Sequence, residues 1–510
     1  MVDGTVTRCH VQCCLIKAAG ACGQNLASVR HRQGTHMVFS SVTFIFYFLP
    51  VFLAFYFMVG QKNAAILTGS VIFYTWGEGE FIFLLAVLIG LNLFAAKLIS
   101  TADKKLFLLM VAVGSNLSFL LFFKYTNFVV QNISLIFKLH FDSVSVPLPI
   151  GISFFTFQLV SYLVDVYWGK IAPERSFIRL GTYILMFPHL IAGPIVRYSD
   201  IAGELRSRSF EVEKFGLGVQ YFIVGLCQKV LIANSVSVAT DHAFSVPYEQ
   251  LSTTTAWIGA LAYTIQIYFD FCGYSNMAIG LAFLMGFRFP INFNYPYMSR
   301  SIGEFWRRWH MALSYWFRDY VYIPLGGSHV KLWKTIRNIL VVFFLTGLWH
   351  GAAWTFIVWG LFHGVFLICE RLGLKKVLNR APPIVGHTYL LLVVVVGWVF
   401  FQSRDFAQAW AFLLAMAGFG ATDVTPLRLW LTPECVAALL FGCLFSFPVV
   451  PRLLNKLGIQ SVPGPLDLSQ QDRQPALVHP LPVALLLLGF ILSIALMVGN
   501  SLNPFLYFRF

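Results

Sequence analysis

Two histidines in apolar or aromatic surroundings are the side chains of this sequence that are best suited to chemistry. His350 lies in FFLTGLWHGAAWTFIVWG, and His310 lies in EFWRRWHMALSYWFRD. An ionisable residue within an apolar segment is costly and is therefore a functional candidate by default. A neutral imidazole that links two helices through hydrogen bonds is the alternative interpretation of His350.

The sequence around His350 combines small and bulky residues. The small neighbours, which allow a ligand or another element to approach the backbone closely, are Gly347, Gly351, Ala352 and Ala353. Trp349 and Trp354 add bulk on either side. This combination predicts a narrow tunnel that meets a base. His363 lies thirteen residues later, and at about 100° per residue a continuous helix would place it roughly 220° around from His350. The two histidines form a poor metal pair, and we predict no metal site.

His310 lies in a segment that is rich in arginine and tryptophan. If the segment is one helix, Trp306, Arg307 and Ser314 share the face of His310. Arg307 and Arg308 could then pair with the phosphates of a charged donor, because a guanidinium matches phosphate geometry. A helix lying at the membrane interface and anchored by these residues explains the pattern equally well.

Two carboxylates also lie within apolar segments, Asp165 in VSYLVDVYWG and Asp270 in IYFDFCGYSN. We expect each to hold an arginine or a tyrosine in place rather than to react. Lys124, at the end of an apolar run, is expected to extend its amine to the membrane surface. His189 in FPHLIAGPI either lines a cavity or bonds to a carbonyl of a broken helix. The sequence has no Walker loop, dinucleotide-binding glycine pattern, HExxH or GxSxG motif.

The composition shows what kind of chain must position these residues. Of 510 residues, 58% are hydrophobic and 11% are charged, whereas a soluble domain has about 25% charged residues. The 52 phenylalanines, 20 tyrosines and 13 tryptophans exclude a disordered chain. The net charge of +14 is explained by the Lys/Arg excess of cytoplasmic loops, so we predict no nucleic-acid partner. The chain is predicted to be an all-α polytopic membrane protein.

Hydrophobic stretches predict the positions of the helices. The candidate spans lie near 41–60, 63–76, 81–99, 106–123, 148–167, 178–195, 215–234, 255–285, 336–349, 352–370, 387–402, 406–419, 430–450 and 481–499. Segments 63–76 and 178–195 are the weakest, so we expect re-entrant elements and about 10–12 crossings. The stretch 287–335 is weakly apolar, basic and aromatic, which predicts a partly buried interfacial element on the cytoplasmic side.

The N-terminal residues differ from the rest of the chain. Residues 1–36 hold four of the nine cysteines and no long apolar run, and a hydrophobic segment begins at Met37. The segment lacks the order of a signal peptide. We interpret 1–36 as a non-native or dispensable extension with Met37 as the favoured start, and 37–510 as one integral-membrane domain. The cysteine spacings predict no disulfide framework.

Several long strings of this sequence resemble a known family. EFWRRWHMALSYWFRDYVYIPLGGS and RNILVVFFLTGLWHGAAWTFIVWG resemble the membrane-bound O-acyltransferase family, and within it the alginate O-acetyltransferase branch. GISFFTFQLVSYLVDVYWG, FPHLIAGPIVRY and YFDFCGYSNMAIGLAFLMGF match as well. The resemblance runs from about Met37 to Phe510. Asn276 and His189 depart from the residues that are common in the family, an aspartate and a glutamine.

The resemblance implies a fold and a reaction. The family fold is a ring of transmembrane helices around a thinned centre, with a cytoplasmic funnel that reaches a histidine. By its position in the WHG motif, His350 is implied to be catalytic. His310, in the RRWH motif, matches the second family histidine and is expected to be catalytic as well. The residues expected to bind substrate or donor are Asp165, Asp270, Trp306, Arg307, Arg308, Trp349 and Trp354. The donor is expected to be acetyl-CoA or an acyl-carrier thioester, with no bound cofactor.

The resemblance to this branch implies that the acetyl group crosses the bacterial inner membrane for O-acetylation of an exported polysaccharide, which is expected to be alginate. The implied partners are membrane lipid, periplasmic acetyltransferases and the exopolysaccharide assembly machinery. Two alternatives remain at this point. The acceptor could be another polymer, such as cellulose, peptidoglycan or teichoic acid, or the chain could be a polysaccharide or lipid transporter without chemistry.

Overall fold

The computed structural model describes residues 37–138, 146–191, 193–422, 426–456 and 480–499, and these are mainly helical, without a β-strand. The prediction for residues 1–36 lies outside the described residues. The first helices are α1 Phe44–Met58, α2 Lys62–Glu78, α3 Phe81–Thr101, α4 Lys105–Phe137, α5 Ile152–Tyr167, α6 Phe177–Leu185, α7 Phe187–Leu190 and α8 Tyr198–Arg206. The chain continues with α9 Val212–Ser245, α10 Thr253–Leu284, α11 Ile302–Phe305, α12 Met311–Phe317, α13 Leu332–His350 and α14 Trp354–Arg380. The last helices are α15 Pro383–Gln402, α16 Phe406–Phe419, α17 Pro433–Phe445, α18 Val449–Lys456 and α19 Pro480–Gly499.

Eight helices of the described ranges are long and apolar enough to cross a membrane: α3, α4, α9, α10, α13, α14, α15 and α19. Four shorter apolar helices, α1, α5, α16 and α17, accompany them. The fold class predicted from composition is therefore confirmed. The predicted span 106–123 is the first part of a longer helix that ends at Phe137, and the predicted span 178–195 is broken into α6 and the single turn α7.

Helix α10 is the central element of the molecule. In its most apolar window 94% of the residues are buried inside the protein, against 17% in α4 and 11% in α19. Ser252 begins α10 by accepting a hydrogen bond from the amide of Thr255. Because α4 and α19 bury so little of their surface, they lie at the periphery, where most of their side chains can face lipid.

Helices α9 and α10 approach each other through glycines. A methyl group at Gly273 would lie 2.7 Å from the carbonyl oxygen of Gly225, which is well inside van der Waals contact. Small residues let helix backbones pack closely in a membrane. Lys229 and Asp270 form a buried ion pair across the same interface, with 2.5 Å between Nζ and Oδ1. The expected partner of Asp270 was an arginine or a tyrosine, and the structure corrects this to a lysine.

The basic segment between α10 and α13 folds onto the helices instead of forming a free loop. It contains α11, α12 and a π-helical turn, Arg318–Tyr322, that extends α12. Its tryptophans Trp306, Trp309 and Trp316 are buried. The sequence-based expectation of a partly buried element is therefore confirmed. This segment covers one end of α13 and α14, and it delivers His310 to the interior.

Candidate active site

Helix α13 carries His350 as its last residue, and Gly351 leaves the helix before α14 begins at Trp354. A methyl group at Gly347 would collide with the carbonyl oxygen of Phe356, so α13 and α14 pack backbone against backbone below the turn. The close approach that was predicted from the small residues is thus made by α14.

The imidazole of His350 lies in an aromatic enclosure. Its ring centroid is 4.9 Å from that of Trp349, 5.0 Å from Trp359 and 5.1 Å from Phe401, and all three rings meet it edge to face. The residue is 6% exposed, and its Nδ1 atom has no hydrogen-bond partner in the part of the chain that the structure describes. A buried polar atom without a partner costs about 1–3 kcal/mol. The enclosure therefore leaves one ring nitrogen of His350 available for a substrate.

His310 does not lie within a continuous helix, which corrects the expectation that Trp306, Arg307 and Ser314 share its helical face. The residue precedes α12 and has φ +42°, a left-handed conformation that is uncommon for a residue with a side chain. Asn292 holds this conformation. Its backbone oxygen accepts a hydrogen bond from the amide of Met311 at 2.9 Å, and its Oδ1 atom lies 3.0 Å from His310 Nδ1.

The same contacts indicate which nitrogen of His310 carries the proton. Asn292 Oδ1 also accepts a hydrogen bond from the amide of Ala312 at 3.3 Å, which identifies this atom as the oxygen of the side-chain amide. In a neutral imidazole facing that oxygen, Nδ1 is the donor and Nε2 is left with a lone pair. Nε2 is buried and has no partner among the described residues. His310 therefore presents a hydrogen-bond acceptor to the interior.

Both histidines pack against Trp349. The Trp349 ring is 5.9 Å from that of His310 and 4.9 Å from that of His350. The indole Nε1 of Trp349 is buried without a partner in the described residues, as are His310 Nε2 and His350 Nδ1, so an N–H donor and two imidazole nitrogens lie in the same cluster of rings. The structure thus brings together three of the residues that the sequence predicted for the site: His350, His310 and Trp349.

A cavity of about 610 Å³ lies between the segment that contains α11 and α12 and the pair of helices α13 and α14. Among the residues that line it are four cations, Arg307, Arg318, Arg371 and Lys375. Thr346 lines its inner part, one helical turn before His350. The four cations are exposed and Thr346 is buried, so the cavity runs from a basic mouth towards the last turn of α13. His310, Trp349 and His350 are not among the residues that line it. Trp306 and Arg307, both predicted for donor binding, line it.

Other predicted site residues lie elsewhere. Arg308 turns away from the cavity and pairs with Glu304, with 3.0 Å between Nε and Oε1. Trp354 is 52% exposed and donates its indole N–H to Asn132 Oδ1 at 2.9 Å. These contacts tie Arg308 and Trp354 to partners other than His310, Trp349 and His350.

The two predicted carboxylates also have partners of their own. Asp165 accepts a hydrogen bond from the hydroxyl of Tyr320 at 2.9 Å, and its other oxygen lies 3.7 Å from Lys170 Nζ. The predicted tyrosine partner of Asp165 is confirmed. Asp270 is tied to Lys229 in the α9–α10 interface. The Nε2 atom of His189 bonds to the carbonyl of Tyr183 at 2.7 Å, which is the simpler of its two predicted roles.

Three residues at the site were not predicted from the sequence. Asn292 positions His310, and Glu370 accepts hydrogen bonds from the amides of Ile302 and Gly303 at 2.5 and 3.0 Å, which fixes the start of α11. Lys124 is buried and binds the carbonyls at the end of α13. The expectation that Lys124 reaches the membrane surface is wrong. A charged residue beside an apolar run is the sequence signal that could have marked Lys124 as a site residue. The run does not show whether the amine points into the protein or towards the membrane surface.

Comparison with known proteins identifies the family to which this chain belongs. A family model described as MBOAT, membrane-bound O-acyltransferase family, matches residues 171–402. The Probable alginate O-acetylase AlgI of Pseudomonas putida is 41% identical over 491 residues, covering 93% of this chain and 100% of that protein. The chain belongs to the membrane-bound O-acyltransferase family. It is an O-acyltransferase and a multi-pass protein of the bacterial inner membrane.

Two further relatives of this acyltransferase show how the family diverges. The Probable alginate O-acetylase AlgI of Azotobacter vinelandii is 39% identical, over 93% of this chain and 100% of that protein. The Peptidoglycan O-acetyltransferase of Helicobacter pylori is 35% identical, over 76% of this chain and 81% of that protein. Proteins similar to this acyltransferase thus carry the names of different polymers.

Proposed function

We propose that this acyltransferase moves acetyl groups from a cytoplasmic thioester donor across the inner membrane for the O-acetylation of an exported polysaccharide, alginate. The observation that supports this function best is the basic cavity that leads to Thr346, one turn from His350. The names of the relatives that match nearly the whole chain support alginate over other polymers.

The cavity suits the donor. Acetyl-CoA and acyl-carrier thioesters share a phosphorylated pantetheine arm, which is anionic at one end and carries the thioester at the other. Guanidinium groups bind phosphate in a bidentate manner. Arg307, Arg318 and Arg371 lie at the mouth, so a phosphate held there would direct the thioester towards Thr346 and His350.

His350 acts in this mechanism as the general base. Its imidazole takes the proton of an acceptor hydroxyl while the hydroxyl oxygen attacks the acetyl carbonyl carbon. The tetrahedral intermediate collapses with cleavage of the carbon–sulfur bond, and the proton passes to the departing thiolate. The indole N–H of Trp349, which has no partner among the described residues, is a suitable donor for the oxyanion. His310, which presents a lone pair at Nε2, is better suited to orient the acceptor hydroxyl than to stabilise the oxyanion.

The course of α13 supports transfer across the membrane. Lys331, Lys334 and Arg337 lie at its beginning, which the positive-inside rule assigns to the cytoplasm. A helix of 19 residues is about 28 Å long, so His350 lies far from that end. A donor that enters from the basic side and an acceptor on the opposite side would meet at His350. Periplasmic acetyltransferases and the polysaccharide assembly machinery are the partners proposed for the later steps.

The test is the acetyl ester content of exported polysaccharide in a deletion strain. The strain is complemented with the wild type, His350→Ala or His329→Ala, the last being an exposed histidine as control. Membrane levels of the three proteins are matched by blot. We expect His350→Ala to secrete normal amounts of polymer without acetyl esters and His329→Ala to match the wild type.

Other results would change the assignment. Full acetylation by His350→Ala would exclude its role as the base. Retention of the polymer inside the cell would favour a transporter. If alginate is unmodified in the wild type and muramic acid loses its acetyl esters in the deletion strain, the acceptor is peptidoglycan, as in the name of the Helicobacter pylori relative.

A further inference from the structure

The end of α13 is bound by two adjacent side chains of α4. The last carbonyls of a helix have no partner within the helix. The hydroxyl of Tyr125 donates to the carbonyl of Leu348 at 2.6 Å. The ammonium group of Lys124 donates to the carbonyl of Trp349 and lies 3.3 Å from that of His350. Three consecutive carbonyls, ending with that of the proposed base, are thus held by one neighbouring helix.

Lys124 is an unusual cation. It is buried, and its third contact is the hydroxyl of Ser153 at 3.2 Å. All its hydrogen-bond partners in the described residues are neutral, and no carboxylate lies within ion-pair distance there. A buried charge is costly, but the negative end of a helix dipole favours a cation. The terminal carbonyls of α13 therefore supply the compensation that an aspartate or a glutamate would otherwise give.

Helix α4 holds the far side of the same turn as well. Asn132 accepts the indole N–H of Trp354 at 2.9 Å, two helical turns beyond Lys124. Most of α4 faces outwards, and its buried residues are Leu109, Asn116, Leu120, Lys124 and Tyr125. The inward face of this peripheral helix therefore ends at the turn that carries His350.

We propose that Lys124, assisted by Tyr125, is a positioning residue that holds the end of α13 so that the His350 ring points into the space beside Trp349. This inference rests on the proposed function, because it takes His350 as the base. Lys124 bonds to the backbone of His350 and does not contact the reacting atoms. Without it the terminal carbonyls lose their donors, the last turn frays, and the imidazole no longer keeps one orientation.

The expected loss of activity follows from how small a displacement of its base an active site tolerates. A displacement of the base by about 1 Å can reduce the rate by about a hundredfold. Lys124→Met keeps much of the volume and removes the donor. Lys124→Arg keeps a cation that can reach the carbonyls. Tyr125→Phe removes one donor and no charge, so its effect should be smaller than that of Lys124→Met.

The experiment measures two properties of each variant. Acetyl esters on exported polymer are quantified in the deletion strain at matched membrane levels, with His350→Ala as the inactive reference. Hydrogen exchange in peptides covering residues 345–356 is measured on the purified, detergent-solubilised proteins. Lys97→Met on α3, which removes an exposed lysine from a neighbouring helix, is the matched control.

We expect Lys124→Met to reduce acetylation by about ten- to a hundredfold and to accelerate exchange in residues 345–356 alone. Lys124→Arg should recover part of both, and Lys97→Met should equal the wild type. Normal acetylation by Lys124→Met, or exchange that rises equally across the whole protein, would overturn the positioning role. Acetylation by His350→Ala would instead refute the proposed function, so the two failures are distinct.

Discussion

Asn292 holds His310 in its left-handed conformation, with 3.0 Å between Asn292 Oδ1 and His310 Nδ1. A non-glycine residue in this conformation is sustained only when its surroundings determine it, and such residues cluster at functional sites. The backbone of Asn292 also binds Met311, so the residue fixes both the chain and the ring. One residue of the segment after α10 thus decides which nitrogen of His310 faces the interior.

Replacement of Asn292 with alanine should therefore act through His310. We expect Asn292→Ala to reduce acetylation by about tenfold or more, because the ring loses its orientation and its fixed tautomer. His310→Ala and the double variant should be equally low, since residues that act as a unit are not additive. Acetyl esters at matched membrane levels provide the measurement. A double variant that falls by the product of the two single effects would show that Asn292 and His310 act independently.

The adjacent residues Arg307 and Arg308 provide a second prediction. Arg307 lines the cavity, and Arg308 pairs with Glu304 outside it. Arg307→Gln should weaken the binding of CoA to the purified protein by about tenfold, because a charge-assisted bond to phosphate is lost. The wild-type affinity should also fall with added salt. Calorimetric titration with CoA at low and high salt gives both values.

Arg308→Gln is the matched control for that titration, since it removes the same charge one residue along the chain. We expect its affinity for CoA to stay close to that of the wild type. Equal losses in both variants would mean that the basic surface as a whole, and not the cavity, attracts the phosphates.

The contact between α13 and α14 leads to a third prediction. A methyl group at Gly347 would collide with the backbone carbonyl of Phe356, which cannot move without shifting α14. We expect Gly347→Ala to destabilise the protein by about 1–3 kcal/mol, the usual cost of overpacking, and to reduce acetylation. Gly203→Ala on α8, where nothing lies within 4 Å of the added methyl, is the control. Thermal unfolding in detergent should separate the two variants, and equal melting temperatures would contradict the close packing.

Local composition was sufficient to predict the fold class, and it marked as candidates the two histidines that the structure brings next to Trp349. His350 is conspicuous as an ionisable residue within an apolar run. The conformation of His310 could not be predicted in this way, because it depends on Asn292, 18 positions earlier in the chain. The same holds for Lys124. Its direction is decided by carbonyls that lie 225 and 226 positions later, and a pattern of apolar residues carries no information on that pairing.

Contacts distant in sequence also explain the other revisions. The segment around Trp306 has the composition of an amphipathic helix, yet Glu370 binds the start of α11 and a break precedes α12. Helix propensity is a weak preference that tertiary contacts override. Asp270 followed the expected rule that an intramembrane carboxylate has a partner. Only the identity of the partner, Lys229, required the structure.

Glu174, in the connection between α5 and α6, gives a prediction on pH. Burial alone would raise the pKa of its carboxyl group, but the Arg179 guanidinium, the Tyr198 hydroxyl and the amides of Ser176 and Arg175 lower that pKa to about 2. A carboxylate with a depressed pKa in the folded state stabilises the protein above its unfolded pKa, and this contribution is lost as the pH falls through the folded value. The pH window in which this stabilisation is lost therefore lies between the ordinary pKa of 4.5 and the folded-state value of about 2.

We expect Glu174→Gln to lower the melting temperature in detergent at pH 7, with a difference from the wild type that is constant down to about pH 5 and shrinks below it. A difference that stays constant to pH 3 would show that the charge of Glu174 contributes nothing to stability.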